Sequence, residues 1–354
     1  MSAEQNNNRV IDSRRIRILA DTGYASMLSG CDHLQDQIQR RFGGRWARLA
    51  RFSCIRGVLG WWIAREYDFV VTVSHWPGGR WLIFLTAWLG GGRRRRKFIL
   101  LEFISCPERL LNRLMFAVWL PLIFRPAIRR TLVAAQVMAE SEPDYYARLF
   151  RLPASLFQRI PLPLIDDKVQ EHSYAASEKM VFASGRAACD WETLFRAADG
   201  ASWNLSVVCS RHDRRHVDRL NKSGLAVVRS EISPEEHAQM MVHAAVYVLP
   251  LRQRPISIGQ LRMRNAICAG TPIVCTRVGG LSGYAIHHQT ASVVEEGDHA
   301  ALRREVDRLL VDPEWRRTLA TRAREFAATR NVEWFSRALN DFVHREARDA
   351  CAES

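Results

Sequence analysis

The residues best suited to chemistry lie in one stretch of the second half of the chain, SIGQLRMRNAICAGTPIVCTRVGG (257–280). Apolar residues recur at helical spacing after Gln260, and a compact apolar run from Ile273 to Cys275 follows a Gly-Thr-Pro turn. We therefore predict a short helix that leads through the turn into a buried strand. Unpaired backbone N–H groups at the helix N-terminus, from Ser257 to Gln260, favour an anionic ligand such as a nucleotide phosphate. The alternative interpretation is structural only, since many α/β proteins end helices in this way.

Two further candidates follow predicted strands in the first half of the chain. The strand YDFVVTVS (67–74) opens into His-Trp-Pro-Gly-Gly, whose glycines permit close approach of a ligand, so His75 is a candidate substrate contact. The strand FILLEFI (98–104) is interrupted near its carboxyl end by Glu102, and a charge there is costly unless it is paired or used. For His75 the alternative is a loop histidine exposed by chance, and for Glu102 it is a structural partner.

Alternating strand and helix patterns must position these residues, and they fall into two halves. The predicted elements of the first half are strands at 15–21, 67–74, 98–104 and 132–140 and helices at 35–48, 51–65, 80–89 and 142–150. Two prolines and the polar stretch 166–179 then mark a domain boundary. The pattern restarts with strands at 180–184, 205–209, 225–229 and 246–249 and helices at 190–199, 211–222 and 234–243. Ser233, with Glu236 three residues later, is predicted to cap the last of these helices. Such alternation requires parallel sheets covered on both faces, and two such halves make a cleft between domains.

Length and composition limit the possible classes of protein. The chain has 354 residues, enough for two domains, and its 47% hydrophobic and 25% charged residues are typical of a globular soluble protein. The N-terminus lacks an apolar core of signal-peptide length, so we expect a cytoplasmic protein. The longest apolar run, 114–124, is far shorter than the ~20 residues that a membrane-spanning helix needs, and is suited only to lie on a membrane. Eight cysteines without a CxxC pair predict neither a zinc site nor a disulfide framework.

The positive charge is concentrated in the first half of the chain. Residues 1–166 hold 25 Lys and Arg against 13 Asp and Glu, whereas residues 167–354 hold 26 against 24. This asymmetry favours an anionic partner, which is a phospholipid surface, a pyrophosphate-bearing substrate or nucleic acid. Seven of the eleven tryptophans lie before residue 120, and Trp with Arg is typical of an interfacial surface, although a core helix with outward-reaching arginines has the same pattern. The run Arg93 to Lys97 is expected to face water or an anionic surface.

Four consecutive pieces of the second half resemble the group 1 (family 4) glycosyltransferases of the GT-B fold. They are Gly185-Arg186, SPEEHAQMMVHAAVYVLPL (233–251), the stretch 257–280, and EEGDHAALRREVDRLLVDPEWRRTLATRARE (295–325). Their order and spacing are kept throughout, so the resemblance covers about the whole second domain. The first half is similar more loosely, in its strand pair YDFVVTVS and KFILLEFI and in VMAESEPDYYARLFRLP (137–153).

The resemblance implies an α/β protein of the GT-B fold, with two Rossmann-like domains facing a central cleft. Residues 1–166 would form the acceptor-binding domain, residues 178–330 the nucleotide-sugar-binding domain, and residues 331–354 a helix that packs back across the cleft. The implied reaction is sugar transfer with retention at the anomeric carbon, from a UDP- or GDP-sugar and without a cofactor or metal. Arginine and helix N-terminal amides would then stabilise the leaving diphosphate.

The resemblance also assigns roles to individual residues. Arg186 matches the arginine that contacts the diphosphate, and Gly259 and Gln260 lie where the glycine-rich loop approaches the phosphates and sugar. The family has two glutamates eight residues apart around this helix, the first on the donor sugar and the second on the ribose. Ser257 and Asn265 stand there in this chain, and the Asn265 amide is able to hydrogen-bond a ribose. The candidate catalytic residues are thus His75, Glu102 and Ser257, and the candidate donor-binding residues are Arg186, Gly259, Gln260 and Asn265.

Two further positions depart from the family pattern. The lysine or arginine expected shortly after Arg186 is missing, since Ala-Ala-Cys-Asp follows, and Arg252, Arg254 or Arg262 is available to replace it. Gly283 stands in a loop that normally carries a glutamate.

The sequence as a whole predicts a cytoplasmic, membrane-associated glycosyltransferase that acts on a lipid-linked or polysaccharide-precursor acceptor. The alternative is a catalytically silent GT-B module that serves as a partner or scaffold in envelope polysaccharide assembly. A nucleic-acid-binding role rests on charge alone, and the family resemblance argues against it.

Overall fold

The structure is a computed structural model, and it describes residues 16–73, 78–92, 94–104, 117–165 and 179–352. These residues form two six-stranded sheets, and every neighbouring pair of strands in both sheets is parallel. Helices cover the sheets, so the predicted α/β class is confirmed.

The first sheet has the order β2-β1-β3-β4-β5-β6. Its strands are β1 (Ile18–Asp21), β2 (Cys31–His33), β3 (Phe69–Val73), β4 (Phe98–Leu101), β5 (Leu132–Val137) and β6 (Phe157–Arg159). Strands β3, β4 and β5 are buried along their whole length because both faces of the sheet are covered. The sequence did not predict β2 and β6, since three residues are too few to show a period.

Several helices pack side by side on one face of this sheet. They are α1 (Leu34–Leu49), α2 (Ser53–Ala64), α3 (Gly79–Leu89), α4 (Arg125–Thr131) and α5 (Glu142–Phe150). A π-helical turn at Leu120–Phe124 leads into α4. Side chains from all five helices share one buried core with the strands.

The second sheet has the order β12-β11-β10-β7-β8-β9. Its strands are β7 (Met180–Gly185), β8 (Asn204–Cys209), β9 (Ala226–Ser230), β10 (Val246–Leu249), β11 (Ile273–Thr276) and β12 (Ser292–Val294). The helices are α6 (Trp191–Ala198), α7 (Arg211–Leu220), α8 (Pro234–His243), α9 (Gln260–Ala269), α10 (His299–Val311) and α11 (Pro313–Ala328). The Ser233 hydroxyl accepts from the Glu236 backbone N–H at 3.1 Å, which confirms the predicted cap of α8. Gly270 ends α9 with φ +73°, and β11 follows directly.

A last helix, α12 (Val332–Ala352), follows the second domain in sequence but covers the open face of the first sheet. Its buried residues Phe335, Leu339 and Phe342 share a core with β1, β3 and β4. The Asn340 amide donates to the Met27 carbonyl at 2.6 Å and fixes the helix against the loop after β1. The helix therefore belongs to the core of the first sheet, although it follows the second domain in sequence.

Lys97 contradicts the expectation that the whole run Arg93 to Lys97 faces water. Its side chain is fully buried, and Nζ donates to the carbonyl oxygens of Ala64, Tyr67 and Gly91. Three backbone acceptors match the three N–H donors of the ammonium group, so its burial is compensated. Arg95 and Arg96 are exposed, as predicted.

The predicted strand at 98–104 is too long, because β4 ends at Leu101. Glu102 follows the strand with φ +43° and lies in a turn, so it does not interrupt the sheet as expected. In the described ranges, no helix is long and apolar enough to cross a membrane.

Candidate functional site

The candidate site lies at the carboxyl edge of the second sheet, where β7 and β10 are neighbours. From β7 the chain continues through β8 on one side, whereas β10 pairs with β7 on the other, so the strand order reverses between them. Open α/β sheets bind their ligands in the crevice at such a position. Arg186 follows β7 directly and is exposed, and the loop after β10 leads to the N-terminus of α9.

Gly259 and Gln260 fix the N-terminus of α9 against two neighbouring loops. Gly259 has φ +78°, and a Cβ atom there would lie 2.6 Å from Leu251 Cδ1, so only glycine fits without strain. The buried Gln260 side chain donates from Nε2 to the Gly280 carbonyl at 2.9 Å. Gly259 and Gln260, which were both predicted to bind the donor, thus hold the start of α9 in place. The Gln260 side chain itself is hydrogen-bonded to the protein backbone.

Ser257 is bound to a buried carboxylate of the first domain. Its backbone N–H and its hydroxyl both donate to Glu142 Oε1, each at 2.8 Å. The other oxygen, Oε2, accepts from the backbone N–H groups of Met138 at 2.7 Å and Ala139 at 2.8 Å. Glu142 is fully buried, so this carboxylate joins the β5–α5 turn to the segment before α9. The hydroxyl of Ser257, a candidate catalytic residue, therefore forms a hydrogen bond between the two domains.

Arg262 and Asn265 are three residues apart on α9 and so lie on the same face of the helix. Asn265 is exposed, and its amide is accessible to a ligand. The charge of Arg262 acts on the Cys189 thiol, which follows β7 by four residues. Burial raises the pKa of Cys189 to about 11, and the charge of Arg262 is the main effect that opposes this rise.

Three polar side chains near Arg262 and Arg186 form a hydrogen-bonded chain: His237, Ser184 and Tyr247. Ser184 Oγ is 2.9 Å from His237 Nε2 and 2.9 Å from the Tyr247 hydroxyl. Burial lowers the pKa of His237, and the positive charges of Arg262 and Arg186 lower it further. Both arginines therefore lie close to the imidazole, although they belong to different elements.

Two of the arginines considered as a second cation, Arg252 and Arg262, differ in their surroundings. Arg252 forms ion pairs with Asp190 at 3.5 Å and Glu192 at 2.8 Å. Arg262 instead lies near Cys189, which comes shortly after Arg186 in the chain. In the described part of the chain, neither Arg186 nor Arg262 takes part in an ion pair. Two positive charges without carboxylate partners thus converge at the carboxyl edge, as an anion-binding site requires.

Glu102 of the first domain is held by two neighbouring side chains, Tyr24 and Gln136. The Tyr24 hydroxyl donates to the Glu102 carboxylate, and the Glu102 backbone N–H donates to Gln136 Oε1 at 2.6 Å. Burial and the Glu102 charge raise the pKa of Tyr24, whereas Arg264 of α9 lowers it. The structural partner considered for Glu102 is therefore Tyr24, and Arg264 of α9 in the second domain lies within electrostatic reach of Tyr24.

The Arg159 guanidinium lies directly beside Gly283. A Cβ atom at Gly283 would collide with the Arg159 guanidinium, whose Nε and one terminal nitrogen are buried without a hydrogen-bond partner among the described groups. Arg159 pairs with Glu140 at 3.2 Å, and Arg330 donates to the Gly283 carbonyl at 3.0 Å. Sequence analysis missed Arg159, because nothing in its neighbourhood along the chain signals a contact with residue 283.

The roles predicted for the site residues, and the prediction that no metal or cofactor takes part, stay predictions. His75 lies outside the described residues, so nothing in the geometry bears on it. Within the ranges that the structure describes, no group of three or more His, Cys, Asp or Glu side chains is arranged to hold a metal ion.

Comparison with known families supports the resemblance seen in the sequence. Residues 190–312 match the family "Glycosyl transferases group 1". The match begins with α6 and ends just after α10, so it contains Arg262 and Asn265 but not Arg186. The resemblance of the second domain to group 1 glycosyltransferases is confirmed.

Solved structures confirm the GT-B fold for the chain. Sucrose-phosphate synthase from Thermosynechococcus elongatus superposes with a TM-score of 0.58 at 21% identity, over 82% of this chain and 75% of that one. Alr3699/HepE from Anabaena, in complex with UDP-glucose, gives 0.63 at 12% identity over 93% and 99%. A glycosyltransferase from Rickettsia africae gives 0.61 at 10% identity over 94% and 99%. No curated protein matches this sequence.

Proposed function

We propose that this protein is a retaining glycosyltransferase that moves a sugar from a UDP- or GDP-sugar to a lipid-linked or polysaccharide-precursor acceptor. The reaction would take place at the cytoplasmic face of the membrane. The observation that carries the proposal is the convergence of Arg186 and Arg262 at the carboxyl edge of the second sheet, beside the N-terminus of α9. This arrangement suits a nucleoside diphosphate, because the helix N-terminus and both guanidinium groups attract its negative charge.

The shared face of α9 supports the assignment of the nucleotide. Asn265 is exposed three residues after Arg262, so one ligand can reach both side chains. An amide both donates and accepts, as the two hydroxyls of a ribose require. The UDP-glucose complex of Alr3699/HepE, a protein of the same fold, makes a uridine donor the first to test.

The proposed chemistry is stabilisation of a leaving diphosphate. The bond between the sugar C1 and the diphosphate oxygen breaks, and its electron pair stays on that oxygen. The acceptor hydroxyl oxygen forms the new bond to C1 from the same side, and its proton passes to the departing diphosphate. Arg186 and Arg262 would stabilise the charge that develops on the diphosphate, which is the role that metal ions have in other transferases. No cofactor is part of this proposal.

The alternative function is a silent GT-B module that acts as a scaffold in envelope polysaccharide assembly. One observation favours it: the Ser257 hydroxyl is bonded to Glu142, and the Gln260 amide is bonded to Gly280. Two side chains at donor-site positions thus have protein partners. A silent module would bind a partner protein without releasing nucleotide.

The first experiment is a donor panel. The purified protein is incubated with UDP- and GDP-sugars and a polyprenyl-diphosphate acceptor, and release of the nucleoside diphosphate is measured. We expect release with one donor that depends on the acceptor. Tight nucleotide binding by calorimetry without release would instead support the silent module. Absence of both nucleotide binding and release would contradict the donor site itself.

Two variants test the residues of the donor site. Arg262→Gln should weaken affinity for the nucleoside diphosphate by about 10- to 100-fold, because it removes charge-assisted hydrogen bonds. Asn265→Ala should weaken it by about 3- to 10-fold, because it removes neutral ones. Arg337→Gln, an exposed arginine on α12, is the matched control. If both variants leave affinity unchanged, α9 only supports the site.

A further inference from the structure

The outer surface of the α2, α3 and α4 layer carries large apolar side chains. These helices pack beside one another on the first sheet, and the side facing away from the sheet has no covering element in the described part of the chain. Its exposed apolar residues are Val58, Trp62, Trp81, Trp88, Leu89 and Leu122. Trp62 and Trp88 are each 54% exposed, Leu89 is 65% exposed and Leu122 is 66% exposed. A solvent-facing helix layer normally carries polar side chains there, so this surface is suited to contact something apolar.

The same surface is positively charged throughout. The ranges 43–65, 69–101 and 117–139 contain no Asp or Glu. Exposed arginines on or beside these helices are Arg65, Arg80, Arg95, Arg129 and Arg130. We call the six apolar residues and these five arginines the aromatic-basic face. An apolar protein interface normally has few charges at its centre, so this mixture of Trp, Leu and Arg is better suited to a charged bilayer surface.

Contacts between arginine and tryptophan organise the face. The Arg130 guanidinium lies 4.4 Å from the Trp88 ring centre, and the Arg65 guanidinium lies 5.4 Å from that of Trp62. Each pair places a cation at the level of an exposed indole ring. An indole at the depth of lipid head groups, with an arginine beside it, is a typical arrangement of interfacial proteins.

Two hollows lined by arginine open on this face and meet at Arg130. One has a volume of about 410 Å³ and is lined by Trp88, Arg95 and Arg130 together with neighbouring residues at the end of α3 and Thr131. The other has a volume of about 460 Å³ and is lined by Arg125, Arg129, Arg130 and Arg151 with two prolines. A guanidinium fork binds phosphate in a bidentate way, so each hollow is suited to a phosphate group.

We infer that the aromatic-basic face docks onto an anionic phospholipid bilayer, with lipid phosphates in the two hollows and Trp62, Trp88, Leu89 and Leu122 among the head groups and upper acyl chains. The exposed aliphatic side chains distinguish this partner from nucleic acid, which offers them no apolar environment. The inference rests on the proposed function only for its biological purpose, namely access to a lipid-linked acceptor. Binding itself needs neither donor nor acceptor, so the two proposals can fail separately.

The test is sedimentation with lipid vesicles. The full chain is mixed with vesicles of phosphatidylcholine alone, or with about one-third phosphatidylglycerol, and the bound fraction is measured at about 0.1 M and about 0.5 M NaCl. We expect binding to the anionic vesicles that weakens at the higher salt concentration, and much weaker binding to the neutral ones. Failure to bind anionic vesicles would overturn the inference, and so would equally strong binding to DNA in competition with them.

Two double variants separate the apolar and charged parts of the face. Arg129→Gln with Arg130→Gln should lower vesicle affinity by about 20-fold, since each arginine near a charged surface contributes about fivefold. Trp88→Ser with Leu122→Ser should lower it at least as much, and this loss should persist at high salt. The matched controls lie on the second domain: Arg211→Gln with Arg215→Gln, and Val311→Ser at a position that is 83% exposed. Equal losses in the control variants would overturn the assignment of the face.

Nucleotide binding and circular dichroism are measured on all variants. The substituted side chains are exposed and far along the chain from the donor site, so both properties should be unchanged. A variant that loses vesicle binding but keeps nucleotide binding supports the docking face. If the wild-type protein binds vesicles but releases no nucleotide from any donor, only the proposed enzymatic function fails.

Discussion

At the scale of residues, the main feature is the position of His237 between a buried hydroxyl pair and two guanidinium groups. Ser184 and Tyr247 extend the hydrogen-bonded chain into the core, while Arg262 and Arg186 lie near the imidazole. A histidine in this environment is neutral, because burial and both positive charges disfavour its protonated form. It can therefore accept or donate one hydrogen bond without adding a third positive charge.

The lowered pKa of His237 predicts a pH dependence of stability. The unfolded chain binds a proton near the ordinary histidine pKa of about 6.5, whereas folded His237 binds it only at lower pH. Its contribution to the free energy of unfolding is therefore present above pH 6.5 and is lost as the pH falls through the folded pKa. We expect urea unfolding curves to show decreasing stability on acidification, and His237→Gln to remove part of that decrease.

The control for this experiment is His212→Gln, at an exposed position on α7. It should leave the pH dependence unchanged, because its imidazole does not belong to the buried chain. If His237→Gln and wild-type protein lose stability in parallel, the imidazole is not held neutral by its surroundings.

At the scale of elements, the junction between the domains depends on one carboxylate. Glu142 begins α5, and its two oxygens accept four hydrogen bonds, two from the β5–α5 turn and two from Ser257. The N-terminus of the helix also favours a negative charge. Together these contacts position the segment that leads into α9, and through it the donor-site face of that helix.

Substitution of each partner tests this junction. Glu142→Gln replaces one acceptor oxygen with an N–H group that faces other N–H donors, so we expect a loss of about 2–4 kcal/mol in the free energy of unfolding. Ser257→Ala removes only the hydroxyl bond and should cost about 0.5–1.5 kcal/mol. Urea unfolding of both variants measures the difference. Equal small losses would show that the carboxylate is not essential to the junction.

Transfer activity of Ser257→Ala separates the two roles of this residue. If the hydroxyl only supports the junction, activity should survive where the protein is folded. If Ser257 contacts the donor sugar, activity should fall by far more than stability explains.

The order of elements could be predicted because it follows from local patterns. Apolar periodicity gave the strands from β7 to β11 and the helices from α6 to α9, since buried parallel strands and amphipathic helices differ in their periods. The cap at Ser233 and the αL glycine at 270 also depend only on neighbouring residues. The end of β4 could not be predicted, because apolar residues resume after Glu102 with Phe103 and Ile104, whereas the hydrogen-bonded ladder ends at Leu101.

At the scale of the whole molecule, the last helix, α12, completes the core of the first sheet. Its apolar side packs on the first sheet, whereas the preceding helix α11 packs on the second domain. The limits that the sequence suggested for the domains, 1–166, 178–330 and 331–354, stay predictions. The described contacts nevertheless show that the first sheet depends on the last helix for cover.

Removal of one buried side chain from α12 tests that dependence. Leu339 is fully buried in the core of the first sheet, so Leu339→Ala should lower the free energy of unfolding by about 2–5 kcal/mol. Val311→Ala, at a highly exposed position, should change it by less than about 0.5 kcal/mol. Urea unfolding measures both. A loss no larger than that of the control would mean that α12 is not part of the packed core.

The sequence alone determined the α/β class, the two-domain alternation, the helix-turn-strand unit at 257–280 and the resemblance to group 1 glycosyltransferases. All of these depend on residues close together in the chain. Only the tertiary structure decided that Lys97 is buried on three carbonyl groups, that Ser257 is bound to Glu142, and that Arg262 stands near Cys189 and His237. Apart from the bond between Lys97 and Gly91, these contacts join residues that are tens of positions apart or more. Local periodicity carries no information about which distant groups meet.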